Sequence, residues 1–246
     1  MLGKLLNLGR SRSARVPEGL AVYAIGDIHG RADLLATLHR RIEADATRGR
    51  KVVVYLGDYV DRGPESRKVV EMVMAEPPQG CRTVCLRGNH EQAMLDFLED
   101  WKVGADWLNF GGGDTARSYG VTPPIATDFV SLIDLQKEIG RAVPAAHWQF
   151  FRRCELSHVE GDYLFVHAGV RPGVAWDQQV PQDLMWIRDT FLNSRADHGK
   201  MIVHGHSIRE AVEFRPNRIG IDTGAFFSHL LTCLVLEGAE TRLIQT

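Results

Sequence analysis

The sequence predicts an α/β fold, because an apolar strand, a turn rich in Gly, Asp and His, and a helix follow one another three times in the first hundred residues. The turns occupy residues 26–30, 57–63 and 87–91. A chain of 246 residues with 44% hydrophobic residues suits one domain with a full core. Ligands of open α/β sheets bind at the carboxyl ends of the strands, so the three turns predict a functional edge.

The elements before and after these turns follow from hydrophobic periodicity. The predicted strands are 21–25, 52–55 and 83–86, and the helices after them are 32–46, 64–76 and 91–100. Residues 52–55 are all β-branched or aromatic, which is typical of a strand buried on both faces. Pro64 suits the first turn of the second helix, and Pro77 ends it.

The pattern changes in residues 101–148, where no strand alternation is visible. We interpret this stretch as a mostly helical insertion over the functional edge, since long excursions from a core are often functional. Its aromatic residues either stack on a substrate base or pack in the core; they are Trp101, Trp107, Phe110 and Tyr119. Strands return at 162–166, 201–203, 219–221 and 230–236, and the first three lead into His167, the HGHS stretch and Asp222.

Composition and charge exclude several classes of protein. The net charge of −2 gives no overall field that attracts nucleic acid, so no nucleic-acid partner is expected. No run of about 18 apolar residues exists, so no membrane span is predicted. The four cysteines form no CxxC pair, which predicts free thiols in a reducing, cytoplasmic setting.

The first 18 residues are basic and lack the apolar region and cleavage site of a secretory signal. We predict a flexible arm over residues 1–18, with a surface anchor or targeting arm as the alternative, and a single domain over residues 19–246.

Polar residues cluster where the strands end, and together they suggest a pair of divalent metal ions. Each alone has a structural explanation, such as a helix cap or a turn. A two-metal site instead needs a bridging carboxylate with oxygen and nitrogen ligands on each side. Asp58 is placed to bridge, Asp27 and His29 would complete one ion, and Asn89, His167 and His206 the other. Ligands without thiolate suit Mn²⁺, our first expectation, or Fe, Zn, Co or Ni.

Five motifs carry a resemblance to a known family: GDIHG (26–30), GDYVDRG (57–63), RGNHE (87–91), HAG (167–169) and GHS (205–207). In this order they resemble the PPP-type serine/threonine phosphatases, here of the bacterial branch, within the calcineurin-like metallophosphoesterase superfamily. The resemblance implies a β-sandwich of two mixed sheets flanked by helices, in four layers α/β/β/α. It also implies metal binding by the same six residues.

By the same resemblance, His90 oriented by Asp61 protonates the leaving oxygen, and Arg62 and Arg188 hold the phosphate together with Asn89 and His90. The implied reaction is one-step attack by a hydroxide that bridges the metals. His204 or His206 can be the ligand in the HGH triplet; GHS fits the family better at His206.

We therefore expect an enzyme that hydrolyses phosphoserine or phosphothreonine in proteins. The alternative is a hydrolase of dinucleoside polyphosphates, like the symmetrical diadenosine tetraphosphatases, or of another small phosphorylated molecule. Those tetraphosphatases usually resemble GDIQG in the first motif, whereas this chain has His29. An inactive binding protein of this fold is a third alternative, and the full set of ligand-type residues argues against it. The sequence leaves the oligomeric state open.

Overall fold

The computed structural model describes residues 14–47 and 49–246, which form two five-stranded sheets. With strands numbered along the chain, the first sheet contains β1 (Leu20–Ile25), β2 (Arg50–Tyr55), β3 (Cys81–Cys85), β9 (Thr232–Glu237) and β10 (Glu240–Gln245). Its order is β10-β9-β1-β2-β3. β1, β2 and β3 are parallel, whereas β9 is antiparallel to both β1 and β10. The sheet is therefore mixed, with its parallel half built from the three predicted units.

The second sheet is also mixed and contains β4 (Ser157–Glu160), β5 (Tyr163–Val166), β6 (Met201–His204), β7 (Glu213–Phe214) and β8 (Arg218–Gly220). Its order is β4-β5-β6-β8-β7. β5, β6 and β8 are parallel to one another, and the edge strands β4 and β7 are antiparallel to their neighbours.

The two sheets pack face to face and bury a shared apolar core. Val22 and Val54 of the first sheet lie in one cluster with Phe165, Val203 and Ile219 of the second. The side chains on the other face of each sheet point outward and pack against helices, because side chains alternate along a strand. The predicted sandwich of two mixed sheets with helices on both outer faces is confirmed.

The helices lie on the outer faces and in the long connection between the sheets. They are α1 (Ala32–Glu43), α2 (Ser66–Ala75), α3 (Asn89–Glu99), α4 (Gly104–Trp107), α5 (Gly113–Ser118), α6 (Phe129–Ala142), α7 (Ala145–Arg153), α8 (Pro181–Trp186), α9 (Asp189–Leu192) and α10 (Ala225–Ser228). Short 3₁₀ turns cover Trp101–Val103 and Trp176–Gln178, and a π-type segment covers Leu108–Gly112. Residues 101–148 are thus largely helical, with no strand among them.

Residues 1–13 of the predicted arm lie outside the described residues. Residues 14–18 pack on the domain: Val16 is buried and its N–H donates to the Gly238 carbonyl at 3.0 Å. All four cysteines are free thiols. Among the described helices, none combines the length and apolar character needed to cross a bilayer.

Candidate active site

The candidate residues gather where parallel strands of both sheets end. Asp27, Asp58 and Asn89 follow β1, β2 and β3, while His167 and His206 follow β5 and β6. All six predicted metal ligands are at most 6% exposed, with His167 fully buried. Burying so many polar groups is costly unless they have partners, so their mutual contacts decide what the site can do.

Backbone strain is concentrated in this site. Six described non-glycine residues have positive φ, and five of them are predicted site residues: His29, Asp58, Asp61, Arg62 and His206, with φ between 45° and 71°. Such conformations cost roughly 1–3 kcal/mol each and persist where the surroundings impose them.

Two glycines allow the loops to approach the carboxylates closely. A Cβ atom on Gly88 would overlap Oδ1 of Asp58, and one on Gly205 would overlap Oδ1 of Asp27. Both motifs therefore need glycine for space rather than for a left-handed backbone.

The Asp58 carboxylate lies at the centre of the cluster. Its Oδ2 is 3.4 Å from Nε2 of His29, and its Oδ1 is 3.4 Å from Nε2 of His167. Two groups of side chains have ligand atoms within 4.8 Å of one another, His29–Asp58–His90 and Asp58–His167–His206. Asp58 belongs to both groups, as a bridging carboxylate would. His90, rather than Asp27, shares the first group.

Hydrogen bonds on the far side of the imidazoles leave lone pairs directed inward. Nδ1 of His29 lies 2.8 Å from the Val60 carbonyl, and Nδ1 of His167 lies 2.9 Å from the Leu56 carbonyl. A carbonyl only accepts, so each Nδ1 carries the proton and each Nε2 is an acceptor in the neutral ring.

These inward acceptors test whether cations fit the site. Nε2 of His167 is 2.9 Å from Oδ1 of Asn89, so two acceptors face each other beside the Asp58 carboxylate. Burial lowers the pKa of His167, so protonation of Nε2 to turn it into a donor toward Asn89 is disfavoured. Nε2 of His206 is buried without a hydrogen-bond partner among the described residues. Acceptors that converge on one point cannot hydrogen-bond to one another, but their lone pairs are suitable ligands for divalent cations.

Asp27 lies at the edge of this cluster. Its carboxylate accepts the His206 backbone N–H, at 3.0 Å for Oδ2 and 3.2 Å for Oδ1. Burial, together with the nearby charges of Asp222 and Asp58, holds the pKa of Asp27 well above its usual range. Burial also raises the pKa of Asp222, to about 6. A bound cation would relieve this crowding of carboxylates.

His90 is oriented by Asp61, as expected for an acid–base pair. Nδ1 of His90 is 2.7 Å from Oδ2 of Asp61, and its Nε2 points to Asp58, with Oδ2 at 3.8 Å. Thr115 donates from Oγ1 to Oδ1 of Asp61 at 2.7 Å. Burial lowers the pKa of His90, but the Asp58 and Asp61 carboxylates outweigh burial and raise it above its ordinary value.

The two candidate phosphate-binding arginines approach the cluster from different elements. Nη1 of Arg62 is 3.1 Å from Nε2 of His29, and the guanidinium lies 5.0 Å from the centre of the Phe226 ring. Arg188 is exposed, and its Nη1 donates to the His206 carbonyl at 3.4 Å. His204 lies apart, with Nε2 3.4 Å from Nη1 of Arg218, and belongs to neither ligand group.

Sequence reasoning missed residues that hold the site together. The Glu91 carboxylate accepts four backbone N–H groups, from Asp58, Tyr59, Val60 and Gly88. Its position at the third residue of α3 is a capping signature that could have identified it. Nothing in the local sequence indicates the role of Thr115 or of Phe226.

The aromatic side chains of the helical insertion, residues 101–148, lie in different environments. Trp107 is fully buried and stacks on Phe97, so it is a packing residue, and Tyr119 is 6% exposed. Phe110 is close to the site, with ring centres 5.9 Å from His90 and 5.9 Å from Trp186. Phe110 and Trp186 therefore form an aromatic wall beside His90, and Trp186 was not predicted.

Comparison with known proteins places this geometry in a family. The protein-family model described as calcineurin-like phosphoesterase matches residues 20–221 of this chain. The chain is 29% identical over 220 residues to serine/threonine-protein phosphatase 1 of Salmonella typhimurium, covering 86% of this chain and 89% of that one. It is 41% identical over 161 residues to a symmetrical bis(5'-nucleosyl)-tetraphosphatase of Delftia acidovorans, covering 65% of this chain and 47% of that enzyme. The chain thus spans about half the length of the tetraphosphatase.

Solved structures agree on the fold. A crystal structure provisionally assigned to a diadenosine tetraphosphatase superposes with a TM-score of 0.62 at 20% identity, covering 94% of this chain and 98% of that one. A cold-active protein tyrosine phosphatase has a TM-score of 0.62 at 19% identity, covering 94% and 78% of the two chains. From the family match over residues 20–221 and the two-sheet architecture, the chain belongs to the calcineurin-like phosphoesterase family.

Proposed function

We propose that this protein is a metal-dependent phosphomonoesterase that hydrolyses phosphoserine and phosphothreonine in proteins. The observation that carries the proposal is the arrangement of His90, held by Asp61, next to a carboxylate shared by two ligand groups. A phosphate ester needs a charge-neutralising centre, a proton donor for the leaving oxygen and cationic groups for the phosphoryl oxygens. The cluster contains residues of each type.

Two divalent cations would be held by Asp27, His29, Asp58, Asn89, His167 and His206, with manganese as our first expectation. His90 joins the first ligand group by distance, but its bond to Asp61 supports a role in proton transfer instead. Bound cations would neutralise phosphoryl charge and acidify the attacking water.

The chain's own residues supply the remaining steps. With both ring nitrogens protonated, His90 donates Nδ1–H to Asp61 and presents Nε2–H to the leaving serine or threonine oxygen. Its raised pKa keeps more of the imidazole protonated near neutral pH. Arg62 and Arg188 bind phosphoryl oxygens, because a guanidinium matches phosphate in shape and charge.

A protein substrate is favoured by the similarity to the Salmonella protein phosphatase, which extends over 89% of that protein. Hydrolysis of dinucleoside polyphosphates is the second candidate. It is favoured by the Phe110–Trp186 wall beside His90, on which a base can stack, and by the 41% identity to part of a tetraphosphatase.

Steady-state kinetics on the manganese-loaded protein tests both candidates. We expect kcat/KM for phosphoserine and phosphothreonine peptides to exceed that for diadenosine tetraphosphate, with p-nitrophenyl phosphate as a general substrate. The protein-phosphatase proposal is wrong if only the dinucleotide is hydrolysed. Asp58→Asn should lower kcat by more than about a hundredfold, since it removes the shared carboxylate charge. Asp106→Asn, an exposed aspartate in the helical insertion, is the matched control and should leave kcat unchanged.

A further inference from the structure

A cleft lies at the end of the second sheet opposite to the candidate active site. It is bounded by the segment after α9, including Asn193, Ser194 and Arg195, and by Arg215, Asn217 and Arg218 before and at the start of β8. His206 follows the carboxyl end of β6, whereas this cleft lies at the amino ends of β6 and β8. A four-residue strand, roughly 13 Å long, separates the two ends.

The lining of this cleft is strongly cationic. Its volume is about 480 Å³, and three arginines, with no acidic residue, face it. The Glu213 carboxylate binds two of them, at 2.7 Å from Nη2 of Arg215 and 2.6 Å from Nη1 of Arg218. Within residues 14–47 and 49–246, Arg195 has no ion pair, and one acid against three guanidiniums leaves an excess of positive charge.

One of these arginines is built into the protein rather than lying on its surface. The Arg218 side chain is 3% exposed, and its guanidinium donates to Glu213 and to the Leu192 carbonyl. Its Nε–H has no hydrogen-bond partner among the described residues. A buried donor without a partner is uncommon in native proteins and needs an explanation.

The cleft continues into a second space of about 570 Å³ that shares Arg195 and Asn217. There the charges balance: Lys200 joins Arg195, and Asp162 and Asp197 oppose them. The cleft thus has a cationic end and a neutral, polar end, and both volumes fall in the range of small-ligand sites.

We propose that this cleft binds a phosphorylated small molecule, with the phosphate between Arg195, Arg215 and Arg218 and a polar body in the neutral end. Guanidiniums bind phosphate oxygens in pairs, and the Asn193 amide and the Ser194 hydroxyl supply further hydrogen bonds. The Asn217 amide NH₂ instead donates to the Ser194 and Ala196 carbonyls. No aromatic residue lines either part of the cleft within the described residues, so the phosphate is the main determinant of recognition.

Isothermal titration of the manganese-loaded protein tests the proposal with two probes, inorganic phosphate and α,β-methylene-ADP, in which a methylene group replaces the hydrolysable anhydride oxygen between the two phosphoryl groups. The double variant Arg195→Gln/Arg215→Gln replaces the two exposed arginines, so it leaves the buried Arg218 in place. The matched control is Arg152→Gln/Arg153→Gln, two exposed arginines at the end of α7.

We expect the cleft variant to lose one binding event, or to weaken it at least tenfold, while the control retains the wild-type isotherm. Binding at the catalytic centre remains in both variants and does not enter the comparison. If the binding event lost in the cleft variant is tighter for the methylene analogue than for phosphate, the ligand is of nucleotide size. Equal affinities identify free phosphate as the ligand. Identical isotherms for the wild type and the cleft variant overturn the proposal, as does an equal loss in the control. Unchanged midpoints of thermal unfolding show that both variants are folded.

Discussion

Glu91 shows how one buried carboxylate fixes the geometry of a whole turn. Its two oxygens accept the N–H groups of Asp58, Tyr59 and Val60 in one loop and of Gly88 in the next. The φ of 51° at Asp58 is thereby held by hydrogen bonds rather than by packing alone. Burial raises the pKa of Glu91 to about 7, and the Gly88 and Val60 N–H groups oppose this rise because they favour the charged carboxylate.

Replacing Glu91 with glutamine should therefore destabilise the fold. The amide NH₂ would face N–H donors and leave at least one of them unsatisfied, at a cost of about 1–3 kcal/mol in the free energy of unfolding. Urea denaturation at pH 7 measures this change. Glu99→Gln, an exposed residue on the same helix, should change the free energy by less than about 0.5 kcal/mol. Equal stability of Glu91→Gln and wild type would contradict this role.

Thr115 supports the proposed proton donor from within the helical insertion. It donates to Oδ1 of Asp61 and accepts the Asp61 N–H at 2.8 Å, so Thr115→Val removes both bonds at nearly constant volume. We expect kcat on p-nitrophenyl phosphate to fall about tenfold, a part of the 10²–10⁴ available to general acid catalysis, with KM nearly unchanged. Thr122→Val, an exposed threonine of the same insertion, is the control. A change confined to KM would show that Thr115 acts on substrate binding instead.

At the scale of elements, the sequence predicted long apolar strands well and short edge strands poorly. β1 and β2 were predicted within two residues of their observed bounds, because their side chains are apolar on both faces. β4, β7 and β10 were not predicted: β7 has two residues, and β10 has mostly exposed, polar side chains. Such strands form because a neighbouring strand offers free backbone N–H and C=O groups. The hydrophobic periodicity of the sequence carries no information about these groups.

The shortest of these strands, β7, is held to β8 by charge. Glu213 lies in β7, and its bonds to Arg218, which outweigh the effect of burial, lower its pKa from the ordinary 4.5 to about 2. A depressed pKa means that the contribution to stability is complete above pH 4.5 and is lost as the pH falls toward 2.

We therefore expect the free energy of unfolding of Glu213→Gln to depend less on pH below pH 6 than that of the wild type. The wild type should lose about 2–3 kcal/mol more than the variant between pH 6 and pH 2.5, since one pKa unit corresponds to about 1.4 kcal/mol. Urea denaturation over this pH range measures the difference. Glu210→Gln, an exposed residue nearby, should follow the wild type. Parallel profiles for Glu213→Gln and wild type would show that the ion pair adds nothing to stability.

At the scale of the whole molecule, the candidate site exists only where the two sheets meet. His29, Asp58 and Asn89 come from loops of the first sheet, and His167 and His206 come from loops of the second. The motifs identified these residues, but the sequence alone could not show that His90, and not Asp27, lies within 4.8 Å of the ligand atoms of His29 and Asp58. That proximity depends on the approach of α3 to the Asp58 loop, which is set by packing and by Glu91.

Because the ligands join both sheets, cation binding should stabilise the whole fold. A ligand that binds only the native state adds about 2.7 kcal/mol at a hundred times its Kd, which corresponds to a rise in Tm of about 5–10 °C for a domain of this size. We expect Mn²⁺ to raise the Tm of EDTA-treated protein by this amount, as measured by calorimetry. His206→Gln should abolish most of the rise, because Nε2 of His206 is a buried acceptor without another partner among the described residues. His158→Gln replaces a histidine on β4 that lies outside both ligand groups and should keep the full response. An equal rise in Tm for the His206 variant and the wild type would show that manganese binds elsewhere.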